Sequence, residues 1–248
     1  MARIASLAGE LLLPLRSFLF PRACLHCGEP RADSRVPLCA SCLRALKRLR
    51  PDDPLSLDAL ARLTAGGAIT VFYALFLFER DGPIQTLVHE MKYGGMRKLA
   101  LQAGTIMGEE MAAFAGAAGL SGVIPVPLHR AKLRERGYNQ SAEIGRGVAA
   151  VLGLPLLTRL IQRRRYTATQ TSLDPAERKR NVEGAFKVKP SRRAFVGGRK
   201  FLVVDDVVTT GATLSSCGAA LVSAGARECV GCSLALAGPN DGTRFGLS

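Results

Sequence analysis

The chain has 248 residues, with 34 Lys plus Arg against 20 Asp plus Glu and 48% hydrophobic residues. That length accommodates one α/β domain of about 150–200 residues beside a small module, with a core large enough to fold without disulfides. The composition excludes disordered and collagen-like chains, and a net charge of +14 attracts polyanions such as nucleic acid, phosphorylated metabolites or anionic lipid.

At the start, Leu7, Leu11, Leu15 and Leu19 recur on one helical face with Leu12 and Phe18. Glu10, Pro14 and Arg16 interrupt this stretch, and no small-residue cleavage site follows, so an export signal is not expected. No segment has the roughly 20 uninterrupted apolar residues of a membrane span. A cytoplasmic location with reduced thiols is the expectation for the seven cysteines.

Four of those cysteines fall within nineteen residues: Cys24-Leu-His-Cys27 and Cys39-Ala-Ser-Cys42. Each C-x2-C turn aims two thiolates at one point, and two turns complete a tetrahedral all-sulfur site, the preference of Zn2+. With every position a cysteine, no coordination site stays open, so the zinc is expected to be structural. His26 reads as a bystander inside the first knuckle.

Residues 51–68 are turn-rich and read as a linker. Strands are predicted at Ile69–Phe78, Val123–Val126, Leu154–Ile161, Phe201–Val204 and Val230–Leu236. Helices are predicted after Asp81-Gly-Pro83, over Leu99–Phe114, over Ser141–Leu152, and after Gly211 with Leu214, Cys217 and Leu221 inward. Strands alternating with helices imply an α/β fold, with a mostly parallel sheet flanked by helices. Residues 1–50 hold the amino-terminal helix and zinc ribbon, and 69–248 the α/β domain. Cys229 and Cys232 form one more C-x2-C, but on a strand they face opposite sides and read as buried thiols.

The densest signal is Phe201-Leu-Val-Val-Asp-Asp-Val-Val-Thr-Thr-Gly-Ala-Thr-Leu214. Four apolar residues bury a strand, so Asp205 and Asp206 fall toward its carboxyl end, where open α/β sheets bind ligands. Thr209, Thr210, Gly211, Ala212 and Thr213 then turn into a helix, offering free N–H groups and hydroxyls to an anion. Gly211 permits close backbone approach. Carboxylates beside a phosphate cradle suit vicinal hydroxyls, so these residues describe a sugar-phosphate site.

The pattern resembles the loop of type I phosphoribosyltransferases that binds phosphoribosyl pyrophosphate. Val123–Ser141 (VIPVPLHRAKLRERGYNQS), Tyr166–Phe186 (YTATQTSLDPAERKRNVEGAF) and the four-cysteine module narrow the resemblance to the ComF family. In that family a zinc ribbon precedes a phosphoribosyltransferase domain, in association with natural competence and DNA uptake. The resemblance implies catalytic roles for Asp205 and Asp206 and a 5′-phosphate loop at Thr209–Thr213. It places a pyrophosphate loop at His129, Arg130, Lys132 and Arg134, where Arg136 is a further candidate and a diphosphate needs cationic donors. It also implies a flexible loop containing Tyr166, Thr167, Gln170, Arg178 and Asn181, and Mg2+ carried with phosphoribosyl pyrophosphate. An amino-terminal glutaminase domain, found in amidophosphoribosyltransferase, has no room ahead of Ile69, so glutamine-dependent amination is not expected. Two functions stay open. One is transfer of phosphoribose to a nitrogen acceptor of unknown identity. The other is a non-catalytic accessory or sensor that binds single-stranded DNA or a DNA-uptake protein. Residues 24–50 lack Phe, Tyr and Trp, which weakens base stacking by the ribbon.

Overall fold

The computed structural model describes residues 23–31, 37–114, 117–163 and 184–238. The amino-terminal helical stretch and the expected flexible loop lie outside them. Among the described residues, β1 (Val71–Phe78), β2 (Leu120–Pro125), β5 (Lys200–Val208) and β6 (Glu228–Ala237) form a four-stranded sheet in the order β1-β6-β5-β2. Every pairing in it is parallel. Because side chains alternate along a strand, Phe201 and Val203 face one layer while Leu202 and Val204 face the other. All four are fully buried, each contributing roughly 1.5–3 kcal/mol by leaving water.

One face of the sheet carries α3 (Pro83–Lys92), α4 (Arg97–Ala112) and α6 (Gln140–Leu152), through residues such as Leu87, Met107 and Ile144. The other carries α2 (Pro54–Thr64), the short α7 (Arg193–Val196), α8 (Ala212–Val222) and a hairpin of β3 (Ile161–Arg163) with β4 (Phe186–Val188). Cys229 and Cys232 fall on opposite faces, both fully buried, as the strand period requires.

The connection read as turn-rich contains α2, started by Pro54, whose fixed φ and missing N–H suit a first helical turn. Its Ala59 and Leu63 are buried. The strand expected over Leu154–Ile161 is reduced to a single bridge, Val123 to Leu156, before β3 begins at Ile161. Gly153 and Pro155 break that stretch.

Both outer strands of the sheet are bordered by chain. Leu49 N–H donates to Leu75 O at 3.0 Å and Leu77 N–H to Lys47 O at 2.8 Å, so the segment after the cysteines lies antiparallel along β1. On β2, Val123 N–H donates to Pro155 O and Leu157 N–H to Val123 O. The short α1 (Ala40–Arg44) holds Cys42, which with Cys24 and Leu38 joins the core formed by β1, α3 and α4. The cysteine module therefore shares the core of the domain.

Helices α4 and α6 pack with their backbones in contact. A Cβ on Gly104 would collide with the Ile144 backbone, and one on Gly147 with the backbone of Leu101, Gly104 and Thr105. Gly147→Ala is expected to lower stability by about 1–3 kcal/mol, the usual cost of overpacking, read as a lower midpoint in denaturant at unchanged slope.

Candidate functional site

Asp205 and Asp206 lie inside β5, two residues before its end, and are 7% and 6% exposed. Burying two adjacent carboxylates is costly unless each finds partners. Ser141 Oγ donates to Asp205 Oδ1 at 3.0 Å, as does the Asp206 N–H at 3.0 Å. Asp206 Oδ2 takes Lys92 Nζ at 2.9 Å and Gln140 Nε2 at 3.4 Å. Burial, followed by the neighbouring carboxylate, pushes Asp205 well above the ordinary Asp range. For Asp206 burial pushes the same way, but the Lys92 ammonium outweighs it with the help of Asp205 and Arg136, and the net shift is downward. The two carboxyls are thereby differentiated: Asp206 holds its charge and Asp205 favours its proton.

The ends of α3 and α6 supply these partners. Asn139 caps α6 by accepting the Ser141 N–H at 3.1 Å, and its amide donates to Val126 O at 2.9 Å, which fixes Gln140 and Ser141 over the strand. Tyr138 donates to the Met91 carbonyl and lies under Arg97, 4.9 Å from the ring centre. Arg136 donates to Gln140 Oε1 at 3.0 Å and to the Tyr93 hydroxyl at 3.2 Å, with its guanidinium 5.0 Å from the Tyr93 ring centre.

The basic segment expected to be a loop is a helix, α5 (Arg130–Arg136), and this sorts its side chains. His129 is its cap, with Nδ1 accepting the Ala131 N–H at 3.2 Å. Arg130 and Arg134 are exposed, whereas Lys132 and Arg136 are half-buried and turned inward. Burial lowers the Lys132 pKa, and Arg136, Arg163 and Lys92 press it further down by charge repulsion. Arg163, half-buried at the end of β3 and 5.4 Å from the Phe186 ring centre, feels the Asp205 charge. Lys92, Arg136 and Arg163 thus carry the positive charges that bear on the acidic pair, and Lys132 lies among them. Tyr166, Thr167, Gln170, Arg178 and Asn181 lie outside the described residues.

Thr209, Thr210, Gly211, Ala212 and Thr213 make the turn from β5 into α8, all but Gly211 partly exposed. Gly211 has φ 79° and caps the helix, a conformation only glycine adopts without strain. Its side-chain space is filled from within: a Cβ there would stand 2.7 Å from Leu63 Cδ2 of α2. The glycine is thus required by packing and by turn geometry, in addition to any ligand approach. An open groove of about 930 Å³ runs from Thr209 and Thr210 along α8, bordered by Arg62, Lys187 and Arg193.

Cys24, Cys27, Cys39 and Cys42 form the second site, with all four sulfurs within 4.8 Å of one another. Tetrahedral Zn–S bonds of about 2.3 Å separate the sulfurs by about 3.8 Å, so the cluster fits one such ion. The Cys27 and Cys39 sulfurs are 3.6 Å apart, far beyond a disulfide bond. The Ser41 hydroxyl, 3.0 Å from Cys39 Sγ, leads the interactions that lower that thiol to about 6. His26 is no part of the cluster: its Nδ1 is hydrogen-bonded to Thr86 Oγ1 at 3.0 Å.

Lys92 and Ser141 are the acidic pair's partners that the sequence did not announce. A lysine ending an amphipathic helix is ordinary, and nothing in the spacing of residues 92 and 206 signals their contact.

Two outcomes follow from this geometry. With a raised folded-state pKa, Asp205 contributes stability that is fully present below the unfolded value of about 3.9 and is lost as pH rises through the folded value. Asp205→Asn, which keeps both accepted hydrogen bonds, is therefore expected to raise the melting temperature at pH 7 by about 2 °C or more, with no gain at pH 3. Cys39→Ser should lose one metal ion per chain by elemental analysis and also lower the melting temperature of the whole domain, because the module shares its core.

A phosphoribosyl transferase domain family matches residues 139–244. Competence protein F of Haemophilus influenzae is 35% identical over 106 residues, which are 43% of this chain and 46% of that protein, so less than half of that relative's length is spanned. DNA utilization protein YhgH of Salmonella typhimurium is 30% identical over 216 residues, covering 83% of this chain and 93% of the relative. Among solved structures, a glutamine phosphoribosylpyrophosphate amidotransferase from B. subtilis aligns with 22% identity and a TM-score of 0.39, covering 58% of this chain and 30% of that one. With a parallel sheet, an acidic pair leading into a TTGxT turn, a four-cysteine cluster and a relative matched over nearly its whole length, the chain belongs to the ComF family of phosphoribosyltransferase-like proteins.

Proposed function

We propose that the chain binds phosphoribosyl pyrophosphate with Mg2+ and transfers its phosphoribosyl group to a nitrogen acceptor, in the service of competence or DNA use. The observation that carries this reading is the charge arrangement: Lys92, Lys132, Arg136 and Arg163 surround a nearly buried acidic pair beside the TTGxT turn. Such a concentration of cations beside the turn suits a multiply charged ligand, and a diphosphate bearing a sugar is one.

In this reading the 5′-phosphate rests on the N–H groups and hydroxyls of Thr209–Thr213, and the ribose hydroxyls meet Asp205 and Asp206. The inward Lys132 and Arg136 accept the pyrophosphate, with His129, Arg130 and Arg134 at the outer rim. In transfer, the bond from the ribosyl carbon to pyrophosphate oxygen breaks as a bond from the acceptor nitrogen forms, and the acceptor gives up a proton. The cations stabilise the charge developing on the departing pyrophosphate. Residues 164–183, with Tyr166, Thr167, Gln170, Arg178 and Asn181, take the part of a closing loop. With Asp206 held by Lys92 and Asp205 favouring its proton, Mg2+ is carried by diphosphate oxygens and water, its ordinary coordination. The four cysteines hold Zn2+ as a structural ion, in a division of the chain into residues 1–50, 51–68 and 69–248. Reduced thiols suit a cytoplasmic setting.

The names of the relatives support a second reading, in which the same site senses the ligand while the protein serves single-stranded DNA or an uptake partner without turnover. Calorimetric titration with phosphoribosyl pyrophosphate and Mg2+, followed by an acceptor screen for released pyrophosphate, separates the two. The parent protein is expected to bind. Asp205→Asn/Asp206→Asn should weaken binding by at least about tenfold, since the charge-assisted hydrogen bond accepted by Asp206 contributes roughly 1.5–3 kcal/mol. Release with some acceptor supports transfer, binding with none supports sensing, and equal affinity of the Asn pair overturns the sugar-phosphate site.

A further inference from the structure

One helix touches both the cysteine module and the acidic pair. At the first turn of α3, Thr86 Oγ1 is hydrogen-bonded to His26 Nδ1 at 3.0 Å, and His26 sits between two cysteines of the first knuckle. At its last residue, Lys92 Nζ lies 2.9 Å from Asp206 Oδ2, with side chains only 16% and 8% exposed. Six residues of α-helix separate these contacts by about 9 Å, a span over which a helix moves as one body.

The packing between them favours such movement. Ile84, Leu87, Val88 and Met91 are the buried stripe of α3, and they share one core with Cys24, Leu38 and Cys42 of the module. The carboxyl end is held by one backbone and one side-chain hydrogen bond: Tyr138 donates to Met91 O, and Arg136 donates to the Tyr93 hydroxyl. Lys92 itself faces Asp206 among cations, Lys132 and Arg136 being its like-charged neighbours. A small displacement of α3 therefore exchanges an attraction for repulsion.

We propose that Lys92 is a positioning residue for the sugar-phosphate site, holding Asp206 in place, and that the four-cysteine module sets where Lys92 stands through His26, Thr86 and α3. The carboxylate then presents its remaining acceptor positions to a ribose hydroxyl only while the module is seated. The module would act on the ligand site at a distance, with no ligand contact of its own. This rests on the proposed binding of phosphoribosyl pyrophosphate for its functional meaning, but the positional claim stands apart from it.

Lysine acylation, resolved by peptide mass spectrometry, tests the position without any ligand. Lys92 is compared with Lys200, a second buried ion-paired lysine, whose Nζ lies 3.0 Å from Glu228 Oε1 and which stands at the start of β5, six residues from Asp206. In His26→Ala and in Thr86→Val, Lys92 is expected to react roughly two- to fivefold faster than in the parent, the population worth of one neutral hydrogen bond, while Lys200 is unchanged. An unchanged Lys92 rate, or equal acceleration of both lysines, overturns the coupling. Ligand titration then tests the role: Lys92→Met should weaken binding of the Mg2+ complex of phosphoribosyl pyrophosphate about tenfold, and Lys92→Arg should recover to within about threefold of the parent. If Arg rescues no better than Met, Lys92 does not position Asp206. Absence of binding by the parent would overturn the proposed ligand while leaving the acylation result to decide the coupling.

Discussion

The site depends on keeping two adjacent carboxyls inside a parallel sheet. Asp205 and Asp206 sit on neighbouring positions of β5, so the strand period sends them toward opposite layers. Each layer answers differently. Lys92 meets Asp206 from α3, whereas Asp205 accepts the Ser141 hydroxyl of α6 and acts by charge on Arg163 of the hairpin, keeping its preference for a proton. Identical residues thereby acquire distinct chemistry from their surroundings alone. Such a pair costs folding energy in a strand whose neighbouring residues are apolar.

Holding the partners in register requires several elements to agree. Helix α6 must approach closely enough to aim Gln140 and Ser141, and the glycines at the α4–α6 crossing remove the side chains that would keep it away. Leu63 of α2 fills the space beneath Gly211 and so shapes the turn that follows the acidic pair. The turn that follows the acidic pair is thus preorganised by packing from beneath.

Much of this was legible in the sequence where the signal was local. The run from Phe201 to Leu214 states strand, acidic pair, turn and helix in order, and the two C-x2-C knuckles state their cluster. The α3 stripe of Ile84, Leu87, Val88 and Met91 followed from helical spacing. What failed was information carried by tertiary contacts. The Pro-rich stretch before Thr64 resembles a loop until its Leu63 finds a pocket, and the basic run of residues 130–136 reads as loop because no apolar stripe betrays the helix. The contact of Lys92 with Asp206 joins chain segments far apart, and no periodicity encodes it. The resemblance supplied the site's location but not the asymmetry of its two carboxyls.

The covering of β1 by residues 47–49 bears on how the protein fails as well as how it folds. Val71–Phe78 (VFYALFLF) is apolar, uncharged and free of proline, the composition from which cross-β assemblies nucleate. The segment that follows the cysteines occupies its outer hydrogen-bonding row at Leu75 and Leu77. Unseating the module would bare this row as an unpaired edge, ready to template a strand from another chain. Disruption of the cysteine cluster would then become a hazard of self-association, with the cluster serving as a clasp on β1.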